Sequence, residues 1–178
     1  LLALRMDFYN VFINGKSIGI MEMEDFFTKE LLESQARKES VLLKFNEDDH
    51  WQCGFAVQKV QKMLGFENIN NSCATHMNNA TITSFDKNNA LGKNYQNAVS
   101  LLRSHVEEKM KPSEIFDVDN FARYYALVQI MGEYHGTVWH NVRYYYNPMN
   151  SRIEILSYDN QGIISWNNKS GNKQNIYW

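Results

Sequence analysis

The N-terminal part of the chain holds two short runs of apolar side chains separated by a turn sequence. Phe8 to Ile13 is rich in aromatic and β-branched residues, and Ile18 to Met23 has the same character. Asn14-Gly15 lies between them, and this dipeptide favours a tight hairpin turn because both of its residues must adopt positive φ. The pattern therefore predicts an N-terminal β-hairpin.

A helical pattern follows this hairpin. Phe27, Leu31 and Leu32 recur at helical spacing among charged residues, which predicts a helix from Glu24 to Lys38. The apolar run from Val41 to Phe45 then predicts a short strand. An acidic patch ends that strand: Glu47, Asp48 and Asp49.

The middle of the chain contains two further helical patterns. Phe55 to Leu64 predicts a helix that ends at Gly65, a residue suited to a left-handed C-cap. Residues 67–94 are rich in Asn, Ser and Thr, so we expect an irregular, exposed stretch there. Tyr95 to Met110 predicts a second helix, which Pro112 ends. The predicted buried stripe of this helix is Ala98, Leu101, Leu102, His105 and Val106.

The last third predicts a helix followed by a second hairpin. Asp117 or Asp119 is suited to cap a helix that runs to about Met131. Val142 to Tyr146 and Ile153 to Tyr158 are strand-like runs, and an Asn-Pro turn sequence lies between them. The side chains predicted to face the core from the helix are Phe121, Tyr125, Val128 and Met131. These elements indicate an α+β chain with antiparallel hairpins and helices.

The second hairpin brings two polar residues together. Folding the chain about its turn places Asn141 opposite Asp159 at the open end of the hairpin. A carboxylate beside a carboxamide suits a hard divalent cation that keeps its other positions for phosphate oxygens and water. The alternative interpretation is that both residues merely cap turns, as Asn and Asp commonly do at strand ends.

Composition narrows the class of protein. The chain has 178 residues and a formal net charge of −2, so no strong positive field exists to attract nucleic acid. No apolar run approaches the ~20 residues that span a bilayer.

The two cysteines leave one bridge or two free thiols open, and we expect free thiols. Because the chain begins inside a predicted strand, we expect both termini, and any N-terminal targeting region, to be cut from a longer protein. Localisation is left open between the cytoplasm and a cell surface or secreted setting.

Several segments, in order, resemble the CotH kinase-like family, the atypical kinases of the spore coat protein H type. The stretch from Asp119 to Asp159 resembles its pattern of an aromatic-rich helix, a loop ending in His-Asn, a strand, an Asn-Pro turn and a terminal Asp. Val11 to Met23, VFINGKSIGIMEM, resembles the family's Asn-Gly hairpin, and Val41 to Phe45, VLLKF, resembles its Lys-containing strand. The resemblance covers a little under half of the chain. It implies a divergent protein-kinase-like fold and a single, partial CotH kinase-like domain over residues 1–178.

The resemblance also implies an activity and a set of residues. The family binds ATP with Mg²⁺ or Mn²⁺ and phosphorylates proteins, so the implied partners are a nucleotide and an unidentified protein substrate. Asn141 and Asp159 are similar to the metal ligands of a kinase site. Lys44 is similar to the strand lysine that contacts phosphate, and Glu24 or Asp25 lies near an acidic position that pairs with that lysine or with the metal.

The sequence departs from the family pattern at one position. Many members carry an Asp a few residues before the His-Asn pair, whereas residues 135–140 here contain no carboxylate. His135 is the candidate replacement, because a neutral imidazole accepts a proton near pH 7. For His140 we expect a structural role, in which a ring hydrogen bond orients the loop. The departure keeps an alternative open, a non-catalytic pseudokinase that serves as a binding or assembly module of a cell surface or protein coat.

A zinc site is a further interpretation of the histidines. It would combine His135 and His140 with Cys53, Cys73 or His76. Structural zinc sites normally bring their ligands in closely spaced pairs, and neither cysteine has a cysteine neighbour. The sequence therefore favours the magnesium hypothesis over zinc.

Overall fold

The structure is a computed structural model that describes residues 1–65, 80–85 and 92–159. Its strands are β1 (Leu2–Ala3), β2 (Met6–Ile13), β3 (Lys16–Glu24), β4 (Leu42–Phe45), β5 (Ile82–Ser84), β6 (Arg143–Asn147) and β7 (Arg152–Ser157). Its helices are α1 (Lys29–Ser34), α2 (Asp48–Leu64), α3 (Gly92–Val106), α4 (Pro112–Ile115) and α5 (Val118–Met131), and Tyr134–Thr137 forms a 3₁₀ turn. The predicted α+β class with antiparallel hairpins is confirmed.

The N-terminal hairpin forms as predicted. Asn14 and Gly15 adopt φ values of 50° and 79°, as a tight hairpin turn requires. Strands β2 and β3 pair from Ile13↔Lys16 to Met6↔Glu24 and make a two-stranded sheet of their own. Because this pairing continues through Glu24, the following helix cannot begin there, and α1 covers only the middle of the predicted range Glu24 to Lys38.

The main sheet has the strand order β1-β7-β6-β4-β5. All its neighbouring strands are antiparallel except β1 and β7, which pair in parallel through Leu2↔Leu156. Strand β5 lies within the stretch predicted to be irregular, so that prediction is wrong for Ile82–Ser84 and for the first turn of α3. Residues 66–79 and 86–91 of that region lie outside the described residues.

Two hydrophobic clusters cover the two faces of this sheet. Side chains alternate between the faces along each strand, so Leu43 and Tyr144 join one cluster while Leu42 and Tyr145 join the other. The larger cluster packs against α3, α4 and α5, and the smaller one against α1. In α3 the predicted stripe is confirmed at its centre, where Ala98 and Leu102 are fully buried.

Helix α5 is capped by Asp117, whose side chain accepts a hydrogen bond from the backbone N–H of Asn120 at 3.0 Å. Its buried face differs from the predicted one. Tyr125 and Met131 are exposed, whereas Asn120 and Tyr124 are buried together with Val128. The physical reason is a polar contact that periodicity does not reveal, since the Asn120 Oδ1 accepts the buried backbone N–H of Ile155 in β7 at 2.8 Å.

Helix α2 starts earlier than predicted. It begins at Asp48, whose backbone N–H donates to the Asn46 side chain at 2.9 Å, and acidic residues in its first turn favour the helix N-terminus. It ends at Gly65 in the left-handed conformation with φ 70°, as predicted. The start of α2 is the part of this helix that bears on the candidate functional site, because it comes directly after β4.

Candidate functional site

The β6–β7 hairpin carries the two residues predicted to bind metal. Its pairing runs from Asn147↔Arg152 to Arg143↔Leu156. Continued beyond the last pair, this register places Asn141 opposite Tyr158 rather than Asp159, so the predicted face-to-face pairing is wrong by one residue. A slip of one residue reverses the face on which a side chain lies.

The 3₁₀ turn nevertheless joins the two residues. His135 lies in this turn, and its Nδ1 is 2.8 Å from the Asp159 Oδ2. The Asn141 Nδ2 donates to the His135 backbone carbonyl at 3.1 Å. The three predicted residues therefore form one group, with His135 between the carboxamide and the carboxylate.

Asp159 reaches His135 because its backbone leaves the strand conformation. Its φ is 52°, in the left-handed region that residues other than glycine seldom adopt. Asp tolerates this region better than most residues. Backbone strain of this kind is concentrated at functional sites, where the surroundings hold the residue in place.

Two contacts bear on the His135 tautomer. At Nδ1, the Asp159 Oδ2 at 2.8 Å is an acceptor, whereas the Asn141 Nδ2 at 3.3 Å is a donor. The shorter contact, to a carboxylate, favours a neutral ring with its proton at Nδ1 and a lone pair at Nε2. The His135 side chain is 52% exposed, so it is accessible from solvent. A histidine oriented by a carboxylate in this way is suited to accept a proton.

A second branch of the site runs from Asn141 toward Lys44. The His140 Nδ1 lies 3.2 Å from the Asn141 Oδ1 and 3.0 Å from the Glu47 Oε2. The other Glu47 oxygen, Oε1, lies 3.5 Å from the Lys44 Nζ. Burial lowers the pKa of the His140 ring, and the Glu47 carboxylate acts against that shift. The ring hydrogen bond predicted for His140 is present, and it links the loop to Glu47.

Arg143 contacts this branch at His140, and its role was not predicted from the sequence. It is 5% exposed, and its Nη1 donates to the His140 carbonyl at 2.7 Å. Its guanidinium faces the rings of Phe27, Phe85 and Tyr158 at 5.8, 5.6 and 4.6 Å from their centroids.

Arg143 also contributes positive charge to the site. Within residues 1–65, 80–85 and 92–159, no carboxylate forms an ion pair with it. Burial lowers its pKa while Tyr158, Glu47 and Asp159 raise it. An arginine stays charged in proteins, so the nearby site carboxylates balance a buried cation.

The two acidic candidates at the end of β3, Glu24 and Asp25, have different surroundings in the structure. Desolvation, followed by repulsion from Glu22 and from Asp159, raises the pKa of the Glu24 carboxyl, so Glu24 belongs to the electrostatic surroundings of Asp159. Asp25 instead pairs with the Arg5 Nε at 2.6 Å. Lys44 pairs with neither of them but with Glu47, which the sequence showed only as part of an acidic patch.

The donor atoms suit magnesium better than zinc. Asn141 and Asp159 offer hard oxygen donors, and Mg²⁺ sites commonly use one or two protein carboxylates or carbonyls together with phosphate oxygens. In the described part of the chain, no three or more His, Cys, Asp or Glu side chains group to hold a metal. Cys53 is disulfide-bonded, which corrects the expectation of a free thiol and removes it as a zinc ligand. Cys73 and His76 lie outside the described residues.

Comparison with known proteins identifies the family. The family model described as CotH kinase protein matches residues 1–177. The chain therefore belongs to the CotH kinase family, and the resemblance drawn from its motifs is confirmed. A search of curated proteins finds no match. The mixed α+β architecture with antiparallel sheets is compatible with a kinase-like fold. Among the described helices, none is both long and apolar enough to cross a membrane.

Proposed function

We propose that this chain is a phosphotransferase that depends on ATP and a divalent metal and acts on protein side chains. The observation that carries the proposal is a continuous series of polar contacts from Lys44 through Glu47, His140, Asn141 and His135 to Asp159. It joins a cation, two oxygen donors and a candidate base, which are the parts that phosphoryl transfer requires.

Asn141 and Asp159 would hold Mg²⁺ or Mn²⁺, which neutralises charge on the transferred phosphate when bound. Lys44 supplies a positive charge for phosphate oxygens from the neighbouring strand. Its side chain is 26% exposed and is held by Glu47, so it is partly preorganised. Glu24 adds negative charge near Asp159.

His135 acts as the base in this proposal. Asp159 holds the Nδ1 proton, so the Nε2 lone pair receives the proton of the acceptor hydroxyl. The hydroxyl oxygen forms its bond to the γ-phosphorus as the bond from that phosphorus to the β-phosphate oxygen breaks, and ADP leaves. Because phosphoryl transfer depends mainly on positioning and charge, the loop lacks an Asp without losing the essential parts of the site.

Transfer of phosphate to an acceptor distinguishes this proposal from the non-catalytic alternative. The chain would be incubated with Mn²⁺ and ATP labelled at the γ-phosphate, with casein and the chain itself as acceptors. Wild type should transfer label, and His135→Asn should transfer about 10²-fold less, since Asn keeps a donor to Asp159 but has no base. Nucleotide binding should be unchanged in this variant.

The rival function is a non-catalytic binding or assembly module of a cell surface or protein coat. The absence of a carboxylate from residues 135–140 favours it. Metal-dependent binding of ATP without transfer of label to any acceptor would support this rival. Equal transfer by wild type and His135→Asn would instead keep the enzyme and reject His135 as its base.

A further inference from the structure

We propose that Glu47, acting through His140, is a positioning residue that couples the phosphate-binding Lys44 to the metal-binding Asn141. The inference rests on the proposed function and goes beyond it by assigning roles to two residues outside the ligand set. Glu47 uses one carboxylate oxygen for each partner, with Oε1 toward Lys44 and Oε2 toward His140.

The Asn141 carboxamide has a defined orientation. Its Nδ2 donates to the His135 carbonyl, which requires Oδ1 to point the other way. There Oδ1 meets the His140 Nδ1 at 3.2 Å. The oxygen offered to a metal is therefore aimed by His140.

The contacts of His140 favour one tautomer of its ring. Its Nδ1 faces two acceptors, the Glu47 carboxylate and the Asn141 oxygen, so Nδ1 carries the proton. A carboxylate behind a histidine commonly fixes its tautomer and ring orientation in metal sites. Without this carboxylate the Nδ1–H tautomer loses its charged acceptor, so the Nε2–H tautomer, which offers Asn141 no donor, gains population.

Glu47 is itself held in place by its surroundings. Glu47 lies at the junction of β4 and α2, where the preceding Asn46 N–H donates to the Thr81 carbonyl at 2.7 Å. Its side chain is 17% exposed, close to the 15% of His140. His50, one turn further along α2, stacks on the His140 ring with centroids 5.4 Å apart. The start of α2 thus holds His140 by two side chains on one helix face.

The test compares Glu47→Gln with Asp49→Asn, a substitution of the same kind at an exposed residue in the first turn of the same helix. The Mn²⁺ affinity of the nucleotide-free chain is measured by electron paramagnetic resonance of free Mn²⁺. Glu47→Gln should weaken Mn²⁺ binding about three- to tenfold, within the range of coupling between contacting residues. Asp49→Asn should leave it unchanged.

Two further variants separate positioning from charge and from general stability. His140→Leu should weaken Mn²⁺ binding as Glu47→Gln does. His140→Asn should keep most of the wild-type affinity for Mn²⁺, because its amide places a donor near the position of Nδ1. Adding Glu47→Gln to Asn141→Ala should cause no further loss, since Glu47 acts through Asn141.

A readout without metal keeps the inference testable if the proposed function fails. Nitrogen-15 NMR of the apo chain should show the His140 proton at Nδ1 in wild type and a shift toward Nε2 in Glu47→Gln. If wild type transfers no label from ATP, the proposed function fails, and the nitrogen-15 readout still decides whether Glu47 fixes the His140 tautomer. Normal Mn²⁺ binding and an unchanged tautomer in Glu47→Gln would overturn the positioning role alone.

Discussion

Asn120 offers a sharp test of how the fold supports the site. This residue is 9% exposed, and its Oδ1 accepts the buried backbone N–H of Ile155 at 2.8 Å. Ile155 lies in β7, the strand that leads to Asp159. Its N–H faces away from β6, beyond the reach of the short strand β1, so a side chain of α5 takes the place of a neighbouring strand.

The magnitude follows from this contact. Asn120→Ala removes the acceptor and leaves a buried N–H unsatisfied, which costs about 1–3 kcal/mol. For a chain of this length, a loss near ~2 kcal/mol lowers the melting temperature by about 4–8 °C. The capping bond from Asp117 remains, because it uses the backbone N–H of residue 120 rather than its side chain.

The assay is urea unfolding monitored by circular dichroism, with Gln129→Ala as the matched control. Gln129 is an exposed amide on the same helix, so its replacement should change stability by less than about 0.5 kcal/mol. Hydrogen exchange at the Ile155 amide should accelerate in Asn120→Ala alone. If Asn120→Ala unfolded at the same urea concentration as Gln129→Ala, the polar contact between α5 and β7 would be refuted.

Two further predictions concern stability. His105 packs edge-on against Phe116, and burial lowers the pKa of its ring below the unfolded value of about 6.5. The unfolded chain therefore binds more protons than the folded chain, so the free energy of unfolding falls as the pH drops below about 6.5. His105→Gln should make the urea midpoint fall less between pH 7.5 and pH 5.5, and an unchanged pH dependence would contradict this. Gly132 ends α5 with φ 70°, so Gly132→Ala should cost about 1 kcal/mol in the same assay despite the open space around it. A neutral result there would argue against the left-handed cap.

Local signals predicted most of the elements. The Asn-Gly turn, the Gly65 end of α2 and the Asp117 cap of α5 each follow from the chemistry of one or two residues, and each is present. Long-range pairing was harder to predict. The parallel pairing of β1 with β7 joins residues at opposite ends of the described chain, and no local pattern encodes it.

The candidate site divides in the same way. Asn141 and Asp159 follow from the family motif, although the hairpin register was wrong by one residue, and His135 was the candidate replacement where the loop lacks the family's Asp. Glu47 and Arg143 owe their place to tertiary contacts across β4, α2 and β6. Their only sequence signals were an acid directly after a Lys-containing strand and an isolated arginine in a run of tyrosines. Of these two signals, the arginine in a strand-like run is the more informative, because charged residues are rarely buried without a role.

The central claim is that Asn141 and Asp159 hold a metal with a nucleotide. The most direct test is calorimetric titration of Mg²⁺–ATP into wild type, Asp159→Asn and Asp119→Asn, the last being an exposed acid at the start of α5. The account predicts metal-dependent binding that Asp119→Asn retains and Asp159→Asn loses. At 100 times the dissociation constant this ligand should stabilise the wild-type fold by about 2.7 kcal/mol. Equal binding by all three proteins, or no binding by well-folded wild type, would contradict the claim.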